Sequence, residues 1–204
     1  MNLFKTTAIA AGAVVAISGG SWAATCGTSA DLDTTNVQIS SIAGLPVSTI
    51  DASDCSGVFA ENDTGATGTL LTNLNGGIFS GLEDDWSIFG KSDETDDVTA
   101  PETTSGSWSV NFSPEAYSVF AVSLKAATGY AVYLFDLRPD ADSLFGGGFE
   151  TTGILNPGGN VADLSHMTIA VWDGEISVVP LPAAGWLLLG GLGGLAAFKR
   201  RKKV

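Results

Sequence analysis

The 204-residue chain carries 22 acidic residues against nine basic ones, a formal net charge of -13. Six of the nine cations sit at the extreme ends (Lys5 and residues 199–203), so the middle keeps only Lys91, Lys125 and Arg138 against all 22 acids, a net charge of about -19. Such a surface repels the phosphates of nucleic acids unless cations bridge the two, which excludes nucleic acid as a partner.

Residues 1–23 read as a secretory signal peptide. Lys5 is the charged n-region, residues 8–17 form an apolar block too short to span a bilayer, and Ser18-Gly19-Gly20-Ser21-Trp22-Ala23 ends it. Ser21 and Ala23 stand where a signal peptidase reads, leaving Ala24 as the new N-terminus. Cys26 just beyond raises the competing reading of a lipoprotein signal. A lipobox wants a bulky aliphatic residue three before the Cys and a small one directly before it, whereas Ala23 and Thr25 stand there. Lipidation would also leave Cys55 unpaired.

Residues 24–178 form one ectodomain, long enough to bury a core. Two cysteines behind an export signal point to a disulfide between Cys26 and Cys55, closing a loop of about 29 residues and contributing about 3 kcal/mol on the loop-entropy argument. A metal pair lacks any His or third Cys nearby. Residues 37–42 fit an edge strand followed by a turn at Pro46. Between Cys55 and Leu82 the Asn-Asp and Asn-Gly-Gly signals mark turns, and no helical periodicity is expected there. Residues 92–104 read as an acidic loop.

Period-two alternation then becomes clear. Trp108, Val110 and Phe112 share one face of a strand, as do Phe120, Val122 and Leu124, while Ser123 and Lys125 point away toward water. Residues 130–135 are apolar on both faces, an inner strand joined to the previous one through an Ala126-Ala127-Thr128-Gly129 hairpin. Residues 136–160 read as a long loop, with a short strand at 149–154 and Gly146-Gly147-Gly148 as a flexible turn. Residues 167–172 alternate again, and 176–179 make a last strand. Turn signals every eight to twelve residues predict an all-β fold, an antiparallel, jelly-roll-like β-sandwich.

The remaining 179–204 have a different character. Val179, Pro180, Leu181, Pro182 and Ala183 open them, an uncharged Leu, Gly and Ala run reaches Phe198, and Lys199, Arg200, Arg201, Lys202 and Lys203 follow. Residues 181–198 suffice for a short transmembrane helix, since a span takes roughly 17 to 25 residues. In lipid, only a helix satisfies such a segment's backbone internally, and the basic residues 199–203 then remain cytoplasmic. The fold expected is thus a sandwich flanked by an N-terminal signal helix and a C-terminal transmembrane helix.

A Pro motif, an apolar helix and a basic cluster in that order resemble the PEP-CTERM class of bacterial sorting signals, in its VPLPA-CTERM variant. Gly106-Ser107-Trp108, the block from Leu124 to Phe135, and Leu164-Ser165-His166 resemble blocks of PEP-CTERM ectodomains. The resemblance implies recognition of the tail in the inner membrane by an exosortase, cleavage near the Pro motif, and delivery to the cell surface or extracellular matrix. It also implies association with exopolysaccharide, and it carries no catalytic residue over. The bland alternative is a permanent membrane anchor.

Chemistry is sparse. A Ser-His-Asp hydrolase needs a His beside a Ser, yet His166 is the one histidine, no Gly-x-Ser-x-Gly elbow occurs, and a backbone-bonded His is the plain expectation. Glu83-Asp84-Asp85-Trp86 could line a sugar groove as acids beside an aromatic, the basis of an alternative reading as a secreted carbohydrate-active enzyme; Trp86 reads more simply as a core anchor. Structural calcium has candidate ligands in Asp84 and Asp85, in Asp93, Asp96 and Asp97, and in Asp140 and Asp142, none at EF-hand spacing. No resident cofactor or catalytic residue is expected.

Overall fold

The computed structural model describes Cys26 and residues 31–174. The signal peptide 1–23, the strand expected at 176–179, the motif at 179–183, the apolar segment 181–198 and the basic residues 199–203 lie outside the described residues. Among the described residues no helix is long and apolar enough to cross a membrane.

A 3₁₀ turn at Thr34–Asn36 leads into β1 (Val37–Ile42), β2 (Leu45–Asp51), β3 (Asp54–Phe59), α1 (Leu70–Asn75), β4 (Trp86–Lys91) and β5 (Val98–Thr99). After these come β6 (Ser105–Asn111), β7 (Val119–Ala126), β8 (Gly129–Asp136), β9 (Leu144–Glu150) and β10 (Leu164–Trp172). They form two five-stranded antiparallel sheets, ordered β2-β1-β9-β6-β5 and β3-β8-β7-β10-β4, packed as the sandwich that the alternation predicts.

The inner core follows from strand parity. Phe120, Val122 and Leu124 of β7 meet Met167, Ile169 and Val171 of β10 and, from the opposite sheet, Trp108, Val110 and Phe145. Phe120 stacks on Phe135 with ring centroids 5.2 Å apart and tilts against Phe145 at 4.9 Å. One polar atom is stranded here. The Tyr133 hydroxyl is buried with no hydrogen-bond partner among the described residues, and burial, then the charges of Asp33 and Glu150, push its ionisation far above the usual phenol range.

The expected disulfide is present. Cys26 bonds Cys55 on β3, both buried, and the Cys26 amide donates to the Leu32 carbonyl at 2.8 Å. The hairpin of β7 and β8 also matches, turning through Ala127 at φ +46° and Thr128.

Four expectations are corrected. β1 is an interior strand between β2 and β9, and Pro46 lies within β2, the edge strand, where a missing N–H leaves no gap in a ladder. The turn is instead Ala43-Gly44, both at positive φ (+52° and +73°). Between Cys55 and Leu82 a single helical stretch, α1, does form, too short for its periodicity to register in the sequence.

The Gly146-Gly147-Gly148 run is the centre of β9 and no flexible turn, paired with β1 on one side and β6 on the other. A Cβ on Gly147 would stand 1.7 Å from the Gln38 carbonyl oxygen, so backbone approaches backbone where β1 bulges between Ile39 and Ser41. The Trp108 indole N–H takes advantage of this side-chain-free stretch, donating to the carbonyls of both Gln38 (3.2 Å) and Gly148 (3.1 Å).

The fourth correction concerns β7, which has no wet face. Ser123 and Lys125 are 0% and 5% exposed. Residues 61–82, α1 included, lie across the outer side of the second sheet, where Leu70, Leu74, Phe79 and Leu82 pack on Val119, Ala121, Val132, Leu134 and Ala170.

Candidate functional site

Next to this second apolar cluster the outer face of the same sheet turns polar. Period-two alternation places Ser123 and Lys125 of β7 on that face, together with His166 and Thr168 of β10 and Lys91 of β4. Register aligns them, with Thr168 paired to Ser123 on one side and to Lys91 on the other, and His166 opposite Lys125. Both lysines and the lone histidine of the ectodomain therefore converge on three neighbouring strands.

Residues 61–69 lower Asp63 onto this patch until its side chain is 1% exposed. One carboxylate oxygen, Oδ1, accepts the Thr64 amide at 2.8 Å and faces His166 Nε2 at 2.9 Å. The other, Oδ2, accepts the hydroxyls of Thr168 at 2.7 Å and Ser123 at 3.2 Å. Burial pushes the Asp63 carboxyl up, but the hydrogen bonds from His166 and Thr168, the His166 charge and the Thr64 amide outweigh it and hold Asp63 below the usual carboxylate range. Every neighbour donates to an ionised Asp63, so His166 carries a proton on Nε2.

His166 also faces a second acid. Its Nδ1 lies 3.7 Å from Asp93 Oδ2 in the turn after β4, and Lys91 Nζ holds the same turn through Asp93 at 3.3 Å and Glu94 at 2.8 Å. Burial pulls the Lys91 ammonium down, yet Glu94 and Asp93 more than offset it, so Lys91 stays charged. Lys125 donates to the Ala127 carbonyl at 2.7 Å; burial lowers it, against the opposing pull of Asp63. Between the cover segment and the turn opens a cavity of about 390 Å³, with Asn62, Thr64 and Gly65 on one wall, Ile88, Lys91 and Glu94 on the other, and Asp63 and His166 at its base.

The chemistry of this arrangement is that of a latch. Ser123 Oγ and His166 Nε2 both bond the Asp63 carboxylate, and the Ser123 side chain is fully buried. Among the described residues His166 hydrogen-bonds the Asp63 carboxylate, with the Asp93 carboxylate 3.7 Å from its other nitrogen, and not the backbone acceptor that its sequence context suggests. Asp63 ties the cover segment to two strands, and His166 joins that tie to the neighbouring turn.

The calcium candidates are scattered. Among the described residues no three His, Cys, Asp or Glu side chains converge as a metal site. Asp93 is engaged with Lys91 and His166; Asp96 and Asp97 are exposed on the turn, where the Asp97 carbonyl receives the Asn111 amide. Asp142 caps the start of β9 by accepting the amides of Ser143 and Leu144, and Asp140 is exposed in the preceding turn.

Asp84 and Asp85 hold positive φ (+61° and +59°) in a turn whose Asp84 carbonyl receives the Trp172 indole N–H. Trp86 is 5% exposed and donates to the Leu82 carbonyl at 2.6 Å, an anchor as expected and no wall of a sugar groove.

Sequence reasoning missed Asp63, Lys91, Ser123, Lys125 and Thr168 as a set. The signal that could have found it is a polar pair at i and i+2 in each of two otherwise apolar strands, Ser123 with Lys125 and His166 with Thr168. Polar groups there are either wet or mutually bonded, and a covering segment decides which.

Fold and site together define an acidic, disulfide-stapled two-sheet sandwich with a polar latch on one outer face. Comparison with protein-family models, curated proteins and solved structures finds no match to the chain.

Proposed function

We propose that this is an exported, non-enzymatic bacterial protein of the cell surface or extracellular matrix. The signal 1–23 carries it out, and an exosortase acts on the tail at Val179-Pro180-Leu181-Pro182-Ala183 while 181–198 is inserted in the inner membrane and 199–203 stays inside. The observation that carries this reading is the Cys26–Cys55 disulfide, because paired, buried cysteines belong to an oxidising compartment. The same pairing leaves no Cys26 thiol for a lipid, which favours the secretory over the lipoprotein signal. A latch that consumes its own serine and histidine supports the non-enzymatic role. The return of β10 to lie beside β7, after β9 has crossed to the other sheet, supports the Greek-key connection that a jelly-roll-like sandwich uses. Exopolysaccharide is the proposed surrounding of the released domain, by analogy with the sorting class alone.

The test is cell fractionation with C-terminal peptide mapping, comparing wild type with a variant carrying Pro180→Ala and Pro182→Ala. Wild type is expected outside the inner membrane without residues 186–204, and the variant in the membrane at full length. A mature wild-type product that retains residues 186–204 would make the tail a plain anchor.

A further inference from the structure

The β2-β1-β9-β6-β5 sheet differs from its partner on the outside. Residues 61–82 cover the partner, whereas here Ser105, Ser107, Asn111 and Glu150 stand exposed. The five strands hold two charged residues, Asp51 and Glu150, in a chain with 22 acids. Both are held along the sheet, Asp51 by the Gln38 side-chain amide at 2.6 Å and Glu150 by that of Asn36 at 3.3 Å. Over β9, between β1 and β6, opens a hollow of about 400 Å³, lined by Asn36, Gln38, Ser105, Gly148 and Glu150 among others. Packing does not account for this opening. Phe145 and Phe149 point into the core, so alternation turns Gly148 outward. A Cβ on Gly148 would meet nothing nearer than the Gly106 carbonyl oxygen at 3.9 Å, against the 1.7 Å that forbids one on Gly147. Gly148 has no positive φ either, and a glycine inside a strand weakens it. What the missing side chain secures is the hollow itself.

We propose that this hollow binds a neutral glycan chain lying across β9, between Gln38 on β1 and Ser105 on β6. The proposal rests on the reading of the chain as an extracellular protein. Its chemistry follows from what the hollow refuses. An apolar ligand finds no apolar floor, because Phe149 is 4% exposed. An anionic polymer would approach Glu150 on a domain whose three cations face 22 acids, and is repelled. A polycation finds most of those acids on other surfaces. A second copy would need an apolar centre to its interface, where this face offers hydroxyls and amides, and the same net charge opposes it. A neutral, hydroxyl-rich ligand meets none of these obstacles. Gln38 and Ser105 can each donate and accept, and the Glu150 carboxylate accepts sugar hydroxyls as charge-assisted bonds. The volume lies within the range of roughly 300 to 1,000 Å³ usual for ligand sites.

The test is affinity electrophoresis of the full chain, in non-ionic detergent, through native gels cast with dextran, a mixed-linkage β-glucan, galactomannan or the anionic polymer alginate. At least one neutral glycan is expected to retard the chain relative to a reference protein, and alginate is not. Gly148→Val fills the hollow with a side chain that suits a strand, so it should abolish retardation while the denaturation midpoint stays in place. Gln38→Ala with Ser105→Ala should weaken binding by about tenfold. The proposal is overturned if no neutral glycan retards the chain, if alginate does so equally, if Gly148→Val still binds, or if sedimentation shows that Gly148→Val instead abolishes pairing between two copies. Fractionation is read separately: a chain that stays in the membrane yet is retarded sinks the sorting reading alone, and a released chain that is not retarded sinks this one alone.

Discussion

The two faces of the β3-β8-β7-β10-β4 sheet are both dry, and they are dry by different means. The inner face meets the other sheet with interlocked aromatics and branched aliphatics, Phe120 and Phe135 at its centre. The outer face meets a cover segment through a smaller apolar cluster, then through a patch of hydroxyls, lysines and a histidine gathered on one carboxylate. Sheet against sheet is a match of areas, tolerant of which apolar residue fills each place. Residues 61–69 of the cover segment carry no large apolar side chain and need directional bonds to fix their position.

The largest effect is expected from Phe120→Ala, which empties the aromatic centre of the inner core. A loss of about 3 to 5 kcal/mol in chemical denaturation follows from such truncations. If the loss were no larger than for an outer-face change, the inner face would not dominate stability.

Asp63→Asn comes next, at about 2 kcal/mol, because an amide cannot accept all the donors that an ionised carboxylate gathers. The sign of the pH effect follows from the direction of the shift. Asp63 titrates lower in the folded chain than in the unfolded one, so its contribution is complete above the ordinary carboxylate value of about 3.9 and disappears as pH falls through the folded value. The gap between wild type and variant in denaturation series should therefore be smaller at pH 3 than at pH 7. An undiminished gap at pH 3 would show that the bonds to Asp63 act by shape and not by charge.

The smallest effect is expected from Tyr133→Phe on the inner face. Removing an unpartnered buried hydroxyl leaves stability unchanged or raises it by about 1 kcal/mol. A clear loss would mean that the hydroxyl has a partner and that the inner face also depends on polar bonding.

How much could be read beforehand depends on what each segment had to pack against. β6, β7, β8 and β10 were legible because alternation is a direct image of a half-buried strand. β9 was not, since three glycines in a row look like a loop until β1 and β6 close on both sides and make the absence of side chains a condition of fit. α1 is too short to show a period, and the polar side chains of β7 and β10 look solvated to any rule that scores one strand at a time. Of the candidate residues, the cysteines were legible from compartment chemistry alone, while the acids named for calcium are not brought together.

The sequence by itself determined the all-β class, the pairing of Cys26 with Cys55 and the burial of Trp86, because alternation, an even cysteine count and a large aromatic each have few physical solutions. Only the tertiary structure decided that Ser123 and Lys125 would be dry, that Gly147 would lie inside a sheet, and that His166 would join two acids from segments far apart in the chain. Those outcomes depend on what a second segment brings to the same place, and a strand carries no record of its cover.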